Sequence, residues 1–121
     1  MKSFITLPTT DHGPVTLPEP TWCTGHNNHI PGYRIDLTHT GTEHEFAFTG
    51  EKLLVAMLSQ DPFVTDPGRR RTGLYVEQTG YAATLDPAEI RQLAAALTVH
   101  AMHLRTLAAE LAAIQAEEGR Q

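Results

Sequence analysis

The chain has 121 residues, is 40% hydrophobic and 19% charged, and carries a net charge of −5 with neutral histidines. That length suits a single domain, 1–121, which can bury about two-thirds of its unfolded surface and so could stand without a metal. The acidic balance disfavours nucleic-acid backbones, where lysine and arginine must displace counterions, and one cysteine excludes an internal disulfide.

The opening MKSFITLPTTDHG has one lysine and an apolar run broken by Pro8. It is too short for a secretory or membrane-spanning segment, so a cytoplasmic location with no membrane partner is expected. Residues 3–7 are rich in strand formers and residues 15–17 suit a second short strand. Residues 8–32 otherwise read as a proline-rich loop. So long a loop inside a compact domain calls for something to fasten it.

Residues 33–85 read as β-hairpins. Tyr33, Ile35 and Leu37 alternate with polar residues, as do Phe46 and Phe48, and the intervening HTGTEH supplies a turn at Gly41. In such a hairpin His39 and His44 would be near-opposite, about 5 Å apart at Cβ. Residues 53–58 are continuously apolar and fit a buried strand or a short helix. Residues 74–78 and 81–85 suggest a second hairpin around Thr79-Gly80. The basic run Arg69-Arg70-Arg71 lies in a polar loop between them.

The last element is a long helix over 86–117. Asp86 suits the N-cap, Pro87 the first helical position, and Glu89 completes a capping box. Ile90, Leu93, Leu97, His100, Leu104, Leu107, Leu111 and Ile114 step by 3 and 4 as a heptad seam. At 1.5 Å per residue the helix measures about 45 Å, while a domain this size has a radius of gyration near 14 Å. The helix would cover one face of the sheet; alternatively, since Ala94, Ala101 and Ala108 recur beside the seam and would admit a second helix closely, its overhanging end would pair with a second copy, as a homodimer, or with a protein partner.

The chemistry gathers in residues 21–44, which hold Cys23 and four of the seven histidines. Cys23, His26, His39 and His44 are spaced C-x2-H-x12-H-x4-H. Thiolate and imidazole suit tetrahedral zinc, and four protein ligands leave no position for water, so such a site is structural. His29 competes with His26, and Asp36 could replace a histidine. The bland alternative is a buried cysteine beside solvated loop histidines. A Cys/His nucleophile with Cys23 and His26 or His29 lacks an orienting third residue. No phosphate loop or dinucleotide fingerprint occurs.

Pro20-Thr21-Trp22-Cys23, then His39-Thr40-Gly41, then Leu85, Asp86, Glu89, Leu93, Ala94 and Leu97 resemble a small actinobacterial domain family of unknown function. That family combines P-x-W-C, histidines ending in H-x-G, strands, and a helix opening L-[ST]-x-x-E-A-x-x-L-A. Ile90 stands where the family often has alanine. The likeness spans roughly residues 18–100 and implies a fold unit with a Cys/His site, without a substrate.

The expected architecture is α+β: an antiparallel sheet of about five strands against one long C-terminal helix. The expected function is a non-enzymatic binding or regulatory module with structural zinc on Cys23, His26, His39 and His44. The alternatives are a metal-dependent hydrolase using an open version of the cluster and a DNA-associated regulator using Arg69 to Arg71.

Overall fold

The computed structural model describes residues 3–120. The fold is α+β, with a two-stranded and a four-stranded sheet, and one long C-terminal helix. The chain divides into two compact units, residues 1–42 with 57–75, and residues 43–56 with 76–121.

In the first unit, β1 (Ser3–Thr9) and β2 (Gly13–Glu19) form an antiparallel ribbon with Leu7 opposite Val15 and Ile5 opposite Leu17. The strands thus run well into the stretch read as loop from the sequence. Pro8 faces Pro14, and Pro18 faces Phe4. These pairs share the parity of Thr6 and Thr16, whose hydroxyls meet at 2.7 Å. The Pro8 carbonyl points away from β2 and lies 3.0 Å from His29 Nε2. At such outward-facing positions a proline forfeits no ladder bond, which is why a proline-rich sequence can still pair. The odd-numbered face is the apolar one. Leu7 and Leu17 are buried with Leu37, and Ile5, Val15 and Phe63 pack against them.

Residues 34–36 form a 3-10 turn, not the expected strand. The Arg34 amide donates to Asp11 Oδ1 at 2.9 Å, and the Asp36 amide to the Tyr33 carbonyl at 3.0 Å. These bonds curl the backbone, so the alternation of Tyr33, Ile35 and Leu37 does not translate into one face. Leu37 is buried while Tyr33 and Ile35 are exposed. The short β3 (His39–Thr40) pairs with the end of β5 (Glu51–Gln60), His39 opposite Gln60. The four-residue helix α1 (Pro67–Arg70) follows, capped by Asp66. The Arg70 guanidinium donates to the Val64 and Thr65 carbonyls, so part of the basic run holds its own loop.

In the second unit, β4 (His44–Phe48) pairs with the start of β5, Phe48 opposite Glu51. The connecting Thr49 and Gly50 both have positive φ, 49° and 83°. That is the hand of turn that matches strand twist in a two-residue hairpin. The hairpin therefore closes here and not at residues 40–43, and His39 and His44 do not face one another across it. Residues 53–58, strand or helix by pattern, lie within β5. A register shift between Phe46 and Ala47 leaves Leu53 as the extra residue.

The strand β6 (Gly73–Gln78) pairs with β5. The second hairpin expected around Thr79-Gly80 does not form, since residues 81–85 are not a strand. Thr79 remains attached to β5, its amide donating to the Leu53 carbonyl at 3.3 Å and its hydroxyl to the Lys52 carbonyl.

Helix α2 (Pro87–Glu118) starts where the sequence signals it. The Glu89 amide donates to Asp86 Oδ1 at 2.9 Å, and the Asp86 amide to Glu89 Oε1 at 3.1 Å. Replacing Asp86 with alanine is expected to lower stability by about 1 kcal/mol, measured by denaturant melting, because it orphans an N-terminal amide. The helix meets β4 through His100, whose Nε2 donates to the Ala47 carbonyl at 2.9 Å. Phe46, fully buried, lies under the rings of His100 and His103, with centroids at 5.3 and 5.0 Å. Leu107 is buried, whereas Ile90 and Leu97 on the same seam are exposed.

Candidate metal centre

The centre is built from three segments of the first unit: the end of β2, a tight turn, and β3. Val15, Leu17 and Glu19 share the inward face of β2, so the strand's alternation carries the Glu19 carboxylate inward after two apolar residues. The turn after it is tied by the Cys23 amide to the Pro20 carbonyl at 3.1 Å. Thr24 donates through its amide, at 3.0 Å, and its hydroxyl, at 3.2 Å, to the Thr40 carbonyl. Gly25, at φ 99°, supplies the left-handed step that turns His26 back toward Cys23, and its amide points at Cys23 Sγ from 3.5 Å.

Four side chains converge there. Glu19, Cys23, His26 and His39 each offer one donor atom, and these atoms lie within 4.8 Å of one another. His26 Nε2 is the hub: Glu19 Oε1 is 3.0 Å away, His39 Nδ1 3.3 Å and Cys23 Sγ 3.6 Å. A ring nitrogen carries either one proton or one lone pair. It can serve only one of its three neighbours at a time. Apart from that contact with His26, the buried Glu19 Oε1 has no hydrogen-bond partner. A shared cation answers this excess of donors; the group is one that could hold a metal ion.

Of the residues expected from spacing, the structure brings together Cys23, His26 and His39. Glu19 joins them and His44 does not. His44 belongs to the second unit, its ring 5.2 Å from that of His103. His29 is engaged with the Pro8 carbonyl, and Asp36 sits in the 3-10 turn; neither is in the group. Glu19 falls in the stretch that reads as loop from the sequence, where no alternation marks its direction. Its place in the series Val15, Leu17, Glu19 emerges once β2 extends through it.

Burial pushes the Cys23 thiol above its ordinary 9.0, with the Glu19 carboxylate acting the same way and the Gly25 amide opposing. Burial also holds the His39 imidazole below 6.5, helped by His26 and opposed by Glu19. At neutral pH, then, His39 is a ready lone-pair donor, whereas Cys23 must give up a proton on binding. Metal affinity is expected to rise about tenfold per pH unit between about pH 7 and 9, one proton being released per ion. Competition with a chromophoric chelator measures this. A slope that persists undiminished in Cys23→Ala would show that the thiol is not its source.

Trp22 stands edge-on to His39, with ring centroids 6.5 Å apart at 87°. Its carbonyl and ring press on Gly41, where an added Cβ would meet the Trp22 oxygen and Leu58 Cβ at 3.3 Å each. The Gly41 amide donates to the Leu58 carbonyl at 2.8 Å. The W-C and H-x-G motifs are thus two sides of one contact. Gly41→Ala is expected to cost about 1–3 kcal/mol in a thermal melt, since backbone and packed rings must yield.

Fold and site together define an α+β domain carrying a Glu/Cys/His2 donor group. No helix among the described residues is long and apolar enough to cross a membrane. The chain belongs to the family described as Domain of unknown function (DUF6907), whose profile matches residues 4–113. The match extends beyond the span of the resemblance seen in the sequence on both sides. No curated protein and no solved structure matches the chain.

Proposed function

We propose that this protein is a non-enzymatic binding or regulatory module whose Glu19, Cys23, His26 and His39 hold a structural zinc ion. The convergence of three donors on His26 Nε2 carries the reading. With zinc bonds of about 2.0–2.1 Å to nitrogen and 2.3 Å to sulfur, tetrahedral edges are about 3.3 Å between nitrogens and about 3.6 Å between sulfur and nitrogen. The corresponding separations here are 3.3 and 3.6 Å. Four protein ligands complete a tetrahedron and leave no position for a reactive water.

A cysteine nucleophile is the poorer fit. A catalytic histidine takes the thiol proton on one nitrogen and is oriented through the other. Here the thiol, the carboxylate and the second imidazole all address the same nitrogen. Zinc instead supplies charge to join β2, the turn and β3.

Elemental analysis of purified protein tests the proposal. One equivalent of zinc is expected in the wild type and in His44→Gln, and less than about one-tenth in Cys23→Ala. Full zinc in Cys23→Ala, or no bound metal in wild type reconstituted with zinc under reducing conditions, would overturn it.

A further inference from the structure

His44, which its spacing offers to the zinc centre, has a different partner. It opens β4 on the face of Phe46 and Phe48, because side chains two apart share one side of a strand. His103 stands one helical turn beyond His100, which fastens α2 to the Ala47 carbonyl at 2.9 Å. The His44 and His103 rings come together there, with centroids 5.2 Å apart and planes at 81°. Phe46, fully buried, lies against the His103 ring at 5.0 Å. His103 is exposed and His44 half-buried, so the pair is open to solvent.

The separation is that of two imidazoles on one ion. An imidazole bound at 2.0–2.1 Å holds its ring centroid about 3.2 Å from the metal. Two of them at the tetrahedral angle stand about 5.2 Å apart, centroid to centroid. The rings of His26 and His39, whose nitrogens meet at 3.3 Å, have nearly the same centroid separation, 5.3 Å.

We propose that His44 and His103 form a second metal site, in which one divalent transition-metal ion bridges β4 and α2. Among the described residues no third histidine, cysteine or carboxylate joins the pair, since the group around His26 is the only one of three or more. Imidazole donors suit Zn2+, Ni2+ and Cu2+, whereas Ca2+ and Mg2+ require oxygen. Water completes the coordination, so this site is open where the zinc centre is closed. Its ion exchanges readily and is lost on dialysis. The pair shares no residue with the zinc centre and belongs to the other unit, so it stands whether or not zinc is held there.

Calorimetric titration of Ni2+ into the tag-free, zinc-reconstituted full chain tests the site. The wild type is expected to bind one Ni2+ with a dissociation constant below about 1 mM, and its melting temperature rises with the ion. His44→Gln and His103→Gln are each expected to weaken binding by about tenfold or more, because a chelate of two imidazoles becomes a single one. Neither variant then gains melting temperature from Ni2+. His12→Gln, at an exposed histidine paired with Asp11, leaves binding unchanged. Absence of binding up to 1 mM would reduce the pair to a ring contact and overturn the proposal. Full affinity in His44→Gln or His103→Gln, equal weakening by His12→Gln, or release of zinc one for one as Ni2+ binds would also overturn it. Circular dichroism verifies that each variant keeps its fold.

Discussion

Replacing His39 with alanine is expected to lower stability by about 3–5 kcal/mol and to abolish the effect of chelators on the melting temperature. His39 is 1% exposed and lies on β3, where pairing with Gln60 sets its direction. Its loss leaves a cavity of imidazole size, worth about 2 kcal/mol or more. It also removes the donor that joins β3 to the turn. The remainder would belong to the proposed metal, and the two contributions separate experimentally. Chelator should lower the wild-type melting temperature by about 10 °C or more and leave the variant unmoved. A variant that loses about 1 kcal/mol and still responds to chelator would remove the structural role assigned to the ion.

Phe46→Ala is expected to be comparably severe, at about 3–5 kcal/mol. Phe46 has no exposed surface, and β4 alternation aims it beneath α2. Its neighbours there are the imidazoles of His100 and His103. Collapse into the vacated volume would bury polar rings, so the cavity relaxes poorly and the cost approaches the upper end. Hydrogen exchange should show amides around residues 96–107 losing protection first. Unchanged exchange in that segment would mean that Phe46 does not anchor the helix.

Three of the four residues of the donor group, Cys23, His26 and His39, were legible in the sequence. Cys23 and His26 lie in one turn, and a C-x2-H spacing with glycine between them signals that geometry locally. His39 is proposed from its spacing in C-x2-H-x12-H-x4-H, and the resemblance adds the H-x-G motif. Glu19 lies in a stretch that reads as proline-rich loop, and only once β2 extends through it does the alternation of Val15, Leu17 and Glu19 turn its carboxylate inward. His44 was proposed on the assumption of a turn at residues 40–43. The actual turn, Thr49-Gly50, carries a weaker signature than Asn-Gly, since threonine seldom adopts positive φ. Moving the turn changed the partner of every residue before it.

Elements governed by local chemistry were determined by the sequence itself. The start of α2 follows from a cap, a proline and a glutamate within four residues of each other, and its length from an unbroken run of helix formers. The β4 alternation and the Cys/His turn are of the same kind. Elements governed by distant partners were decided only by tertiary structure. Asp11 bends residues 34–36 away from strand geometry, and β5 retains Thr79 so that residues 81–85 do not fold back. The ribbon of β1 and β2 delivers Glu19 to candidate donors 4 to 20 positions away. The reason is physical: a hydrogen bond or an ion is indifferent to separation along the chain, whereas periodicity records only the neighbours.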